Sequence, residues 1–166
     1  SGLALLPMTI AIMILMVGVT GKLISKFGFK STLVTGLLAL TGSLIWFSFV
    51  PVNGNFISHV LGASLLGAVG MSLAYIPGTM ASMSGAKPEE TGLASGLANT
   101  TYQVGSAIGL AIVVVLAVST TNQEITNGAM NKEALNIGFQ TAFKAAAVIS
   151  SIGALVAIIG IKKIIN

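Results

Sequence analysis

The side chains able to do chemistry are few, and their kinds are informative. Gly92, Gly96, Asn99, Gln103 and Ser106 recur along one stretch of the chain. On a helix turning 100° per residue they share an arc of about 80°. Leu93, Leu97, Val104, Ile108, Ala111 and Val115 fall on the opposing sector. Amides and a hydroxyl set among glycines can hydrogen-bond a ligand or a neighbouring helix. They are not proton-transfer groups at neutral pH.

Two uses of that face stand open. It can be glue between helices, where glycines allow close approach and each amide contributes about 0.6–2 kcal/mol. It can also be the wall of a substrate cavity, running into a close-packed gate at Gly92 and Gly96. A second small stripe, Gly105 and Gly109, lies around the side near Tyr102 and is expected to pack on another helix. Ala63, Gly67, Gly70 and Ala74 repeat the small-residue pattern upstream and lead to Pro77-Gly78. Proline removes a helical hydrogen bond and clashes with the preceding turn. Pro77 and Gly78 are therefore either a hinge or a fixed bend.

Catalytic sets are missing. There is no cysteine, a single histidine, no phosphate-binding glycine loop, and no serine, histidine and acid that could converge. No enzyme activity, metal or cofactor is expected. Glu89, Glu90, Glu124 and Glu133 all fall in expected loops, so a proton-coupling carboxylate is not expected within any membrane span. Lys144 and His59 lie near outer span ends, where a lysine stem can snorkel and a lone histidine reads as interfacial. Met8, Met13 and Met16 suit packing gaps or a compliant drug-binding surface.

These residues must be positioned by elements built for lipid. Of 166 residues, 54% are hydrophobic and 7% charged, with a mean hydropathy of +0.97. A soluble domain carries roughly 25% charged residues, so a water-soluble body and a disordered chain are both excluded. The net charge of +4 comes from eight lysines against four glutamates. In so apolar a chain it reads as topology-setting charge at a bilayer, and nucleic acid is not an expected partner.

A hydrocarbon core about 30 Å thick takes about 20 helical residues. Charge-free stretches, divided at the turn residues Pro51-Val-Asn-Gly, give five expected spans at about 3–21, 32–50, 57–82, 92–118 and 139–161. A basic loop over 22–31 and a polar loop over 119–138 connect them. Lys22, Lys26, Lys30, Lys87, Lys162 and Lys163 then share one face. The positive-inside bias makes that face cytoplasmic, with the N-terminus outside and the C-terminus inside. An odd number of spans, opening on Ser1-Gly2, suggests a piece of a longer protein.

The basic loop reads Gly21-Lys-Leu-Ile-Ser-Lys-Phe-Gly-Phe-Lys30. Its spacing resembles the loop signature of the major facilitator superfamily, Gly-x-Leu-x-Asp-(Arg/Lys)-x-Gly-(Arg/Lys)-(Arg/Lys). Gly21, Leu23, Lys26, Gly28 and Lys30 match it, while Ser25 replaces the aspartate and Phe29 one basic residue. Such loss is typical of the second-half copy and removes the acid that a charge relay would use. The stretch from Thr91 to Ala111, and the opening Ser1-Gly-Leu-Ala-Leu-Leu-Pro7, resemble the fourteen-span drug:proton antiporter branch.

The resemblance implies an all-α integral membrane fold whose five transmembrane helices are helices two to six of a C-terminal half. Its implied partners are the bilayer, the N-terminal half of the same transporter, protons, and small hydrophobic or cationic substrates. The implied function is multidrug efflux by alternating access. Two rivals remain: a non-transporting membrane module or gene remnant, and a facilitator for another small solute.

Overall fold

A computed structural model describes residues 6–54 and 56–161. The expectations resting on Ser1 to Leu5, Asn55, Lys162 and Lys163 lie outside the described residues. Five helices follow in order: α1 Leu6–Gly18, α2 Thr20–Phe47, α3 Gly62–Met83, α4 Thr91–Thr126 and α5 Asn131–Gly160. A π-helical turn, Phe56–Leu61, leads into α3, and a 3-10 turn, Pro88–Glu90, leads into α4. No strand occurs among the described residues. Four of the helical stretches are long and apolar enough to cross a membrane, and α1 is a shorter apolar helix.

α1 does not end at its own boundary. Val19 N–H donates to Leu15 O, and Leu23 N–H donates to Val19 O, both at 3.0 Å. The helical ladder thus runs through the irregularity at Val19 as far as Phe27. Residues 6–27 then measure about 33 Å at 1.5 Å per residue, enough to span the hydrocarbon. The break falls at Gly28, with φ 79° and ψ 161°. That region of backbone space is essentially open to glycine alone. The expected loop over 22–31 is therefore wrong locally. Lys22 and Lys26 belong to the end of the first rod, Lys30 opens the second, and the turn is concentrated at Gly28.

The expected loop over 119–138 is likewise mostly helix. Nothing from Ser119 to Thr126 breaks a helix, so the polar residues continue α4 until Gly128, whose φ is +91°. α5 begins again at Asn131, with Glu133 in its first turn where the helix dipole favours an acid. Glu124 and Glu133 accordingly sit on helix ends rather than in a loop.

Packing follows the small residues. A Cβ at Gly36 would lie 2.6 Å from the Ala74 nitrogen, and one at Gly70 would lie 2.5 Å from the Leu40 nitrogen. α2 and α3 thus cross backbone to backbone. Gly67 lies against Ser43, whose hydroxyl donates to Ala63 O at 2.7 Å. The Ala63, Gly67, Gly70 and Ala74 stripe is the seam on which α2 rests. Pro77 is fully buried in α3 and leaves Leu73 O without its usual helical donor. Gly36 meets that same turn, its absent Cβ 2.7 Å from the Leu73 carbonyl carbon.

α2 is also stitched to α5. Lys30 Nζ donates to Ile158 O (2.6 Å) and Ile161 O (2.5 Å) at one end. Thr41 donates to Ser150 Oγ (3.0 Å), which donates to Leu37 O (3.2 Å), in the middle. Phe47 and Phe143 stack at 5.0 Å, and Gln140 and Asn136 donate to Val50 O at 3.0 and 3.3 Å. Partner numbers fall on one helix as they rise on the other, so α2 and α5 are antiparallel. The same reasoning makes α2 antiparallel to α3, and the tight turn at Gly128 brings α5 back antiparallel along α4. α1 runs parallel to α3, with Met8 near Gly67 and Ile12 O accepting from Ser72 Oγ at 3.4 Å.

Candidate functional site

α4 is the helix that carried the candidate face, and it is the least covered element. It buries no residue. Its closest approach is at its far end, where Gly138 of α5 lets Thr121 and Ala117 come in without a side chain between them. Gly92, Gly96, Asn99, Gln103 and Ser106 are all exposed, as are Leu93, Leu97 and Val115 on the opposing side. Gly92 and Gly96, and also Gly105 and Gly109, have nothing within 4 Å of an added Cβ. The expected packing of the Gly105 and Gly109 stripe on another helix does not occur among the described residues.

Of the five face residues Asn99 lines a cleft formed by the described residues. This cleft is open, about 560 Å³ in volume, and lies between α2, α3 and α4. One wall is aliphatic, with Leu33, Leu37 and Leu40 at helical spacing on α2. The lining also holds Tyr75 of α3 and Tyr102 of α4, whose rings meet edge to face at 6.1 Å and 87°. Ser95 and Asn99, one turn apart on α4, form a polar margin. Thr79 and Ser82 also reach the cleft, but their hydroxyls already donate to Tyr75 O and Thr79 O. The two tyrosines and the α2 leucines were not among the sequence candidates. Tyr75 and Tyr102 are the chain's only tyrosines, which was a usable signal; the leucine wall was hidden because it depends on long-range pairing.

The cleft lies toward the lysine-bearing end. Leu33 Cδ1 comes within 3.7 Å of the Cβ position of Gly78, beside Pro77 and about a turn and a half before the end of α3. Lys30, three residues before Leu33, reaches the C-terminal carbonyls of α5. This anchor gives a lysine of the basic motif a partner. Ser25, in the place of the family aspartate, donates to Lys22 O at 2.9 Å and brings no charge. Lys26 Nζ stands 5.3 Å from the Phe27 ring centroid. Leu23 is half-buried and Gly21 exposed. Lys144 is exposed on α5, and His59 lies in the π-helical turn. Among the described residues no group of three His, Cys, Asp or Glu converges to hold a metal.

Antiparallel apolar helices with a lysine-bearing end and a cleft opening between them define a multi-pass, all-α membrane protein. Residues 1–110 match the family model of the Major Facilitator Superfamily. The chain belongs to that family, whose members here are exporters and transporters rather than enzymes. It is 35% identical over 119 residues to the tetracenomycin C resistance and export protein of Streptomyces glaucescens, covering 72% of this chain and 22% of that one. It is 35% identical over 77 residues to the cephamycin export protein CmcT of Amycolatopsis lactamdurans, covering 46% and 16%. It is 30% identical over 137 residues to the quinolone resistance protein NorB of Staphylococcus aureus, covering 80% and 29%. The chain thus spans less than a third of the length of each of these relatives. No solved structure matches it.

Proposed function

We propose that this chain is the C-terminal part of a multidrug-efflux transporter that expels hydrophobic or cationic compounds in exchange for protons. Its helices correspond to helices two to six of a C-terminal half, and the N-terminal half is the partner that completes the cavity. The lysine-bearing end is cytoplasmic, the N-terminus is outside, and the protein resides in the cell membrane. The exporters it resembles support drug efflux, since their names specify tetracenomycin C, cephamycin and quinolone resistance or export.

The observation that carries the reading is the bareness of α4. An amide exposed to hydrocarbon costs several kcal/mol when unpaired. Asn99 and Gln103 are exposed along a helix apolar enough to span the bilayer, so protein or a water-filled cavity must face them. Gly92 and Gly96, open at the lysine-bearing end, suit a gate closing on another backbone. Pro77 and Gly78 are its hinge. The proline lacks its helical donor, and the turn it opens rests on Gly36 with no side chain in between. No glutamate lines the cleft, so the coupling acid lies outside these spans.

Co-expression with the N-terminal spans of a related exporter, followed by ethidium efflux from whole cells, tests the reading. Efflux is expected only when both parts are present. Undiminished efflux from this chain alone would refute the shared cavity. A chain that inserts stably but never supports efflux with any complementing half is a membrane module without transport.

A further inference from the structure

We propose that the cleft between α2, α3 and α4 binds an uncharged aromatic molecule carrying hydrogen-bonding groups along one edge. The inference rests on the efflux reading for how such a molecule arrives, but the binding itself is measurable without transport. The cleft's volume of about 560 Å³ lies within the range of small-molecule sites, about 300–1,000 Å³.

Its chemistry is selective. Leu33, Leu37 and Leu40 give the cleft an aliphatic wall, and Tyr75 and Tyr102 line it too, with their rings at 87° to each other. A flat ring between a leucine ladder and aromatic side chains gains dispersion and edge-to-face contact together. Both tyrosines are about half exposed, so their surfaces remain open for such contact. The polar margin is equally specific. Asn99 and Ser95 make no hydrogen bond among the described residues, and Asn99 offers both donors and an acceptor. In an apolar setting these groups call for a ligand edge bearing carbonyl, amine or hydroxyl functions.

Charge is what the cleft does not take. Among the described residues no lysine, glutamate or histidine lines it. Bringing an ion out of water carries a penalty of several kcal/mol that a paired counter-charge must offset. Each tyrosine face contributes only about 0.5–2 kcal/mol toward a cation and supplies no counter-charge, and an anion finds no positive group in the lining among the described residues. A cationic substrate of the whole transporter must therefore find its counter-charge elsewhere along the route.

The test uses the full chain in lipid nanodiscs with three fluorescent probes. These are 1-aminoanthracene, neutral at pH 7; ethidium, a cation; and 8-anilinonaphthalene-1-sulfonate, an anion. Saturable binding of 1-aminoanthracene above that of empty discs is expected, with neither charged probe competing. Asn99→Leu, a change at an exposed position, weakens it about fivefold through the lost hydrogen bond. Leu37→Trp fills the cleft and abolishes it, while Val118→Ala, far along α4, leaves it unchanged. Photolabelling with benzophenone is expected to mark peptides containing residues 71–79 and 95–102. Uptake equal to empty discs, binding indifferent to Asn99→Leu, or tighter ethidium binding with the same sensitivity would overturn the proposal. Binding as expected, with no efflux from the co-expressed halves, supports this site and refutes the efflux reading alone. Efflux without 1-aminoanthracene binding does the reverse.

Discussion

Lys30 Nζ donates to the carbonyl oxygen of Ile158 across 2.6 Å, although the two residues are 128 positions apart. The last carbonyls of a helix have no intrahelical donor, and the partial negative charge of that end attracts a cation. With its second bond to Ile161 O, Lys30 acts as a C-terminal cap supplied by another helix.

Lys30→Met should therefore loosen the end of α5. Charge-assisted hydrogen bonds contribute about 1.5–3 kcal/mol each when well formed, and exposure at this site reduces that toward about 1 kcal/mol. Hydrogen exchange in nanodiscs is expected to quicken at amides 155–161, while amides 140–147 hold their protection. Lys30→Arg should retain most of the protection. Equal exchange in wild type and Lys30→Met would mean the cap contributes nothing.

The α2–α3 crossing gives a sharper contrast between glycines. A Cβ at Gly70 would meet Leu40 backbone atoms at 2.5 and 2.8 Å, and backbone cannot swing aside as a flexible side-chain tip can. Gly70→Ala is expected to destabilise by about 1–3 kcal/mol or more, as overpacking of a tight contact does. Gly105→Ala meets nothing within 4 Å and should be neutral or slightly stabilising, because alanine is the better helix former. Steric-trap or denaturant unfolding in micelles distinguishes the two. A similar loss at both positions would mean that helix propensity, not the crossing, is being measured.

Much of this was legible in the residues, and what was not has a physical cause. Charges cannot be spared inside a bilayer, so their clustering marked the apolar rods, and small residues at helical spacing marked the α3 seam. Helix ends were hidden. Lysine and serine are compatible with helix, so Lys22 and Lys26 extend the first rod until Gly28, and Ser119 to Thr126 extend α4 until Gly128 turns the chain. The polar face of α4 could be computed from one helix alone. The cleft could not, since Leu33, Tyr75 and Tyr102 meet only after three helices have packed.

Gly28 concentrates the whole turn between the first two rods in one residue. At φ 79° and ψ 161° a side chain is strained even with open space around it, and nothing lies within 4 Å of its missing Cβ. Gly28→Ala should cost about 1–3 kcal/mol through the backbone alone. The same substitution at Gly21, on a helical stretch with equal room, should not. Comparing unfolding of the two variants isolates backbone strain from crowding. Equal stability would mean that the break can move to a neighbouring residue.

The sidedness of the membrane can be read from two single cysteines in a chain that has none of its own. Lys87 stands between α3 and the 3-10 turn, and Asn127 follows α4, so one whole helix separates two exposed positions. α4 runs 36 residues, about 54 Å at 1.5 Å each, which is longer than the hydrocarbon core. Lys87→Cys is expected to react with an impermeant maleimide only after the inner face is exposed, in inverted vesicles. Asn127→Cys should react in intact cells. The expected direction follows from Lys22, Lys26, Lys30 and Lys87 at one end and from the positive-inside bias, which favours a cytoplasmic lysine-bearing end. Labelling of both cysteines from the same side would mean that α4 does not cross, and the shared-cavity reading would fall with it.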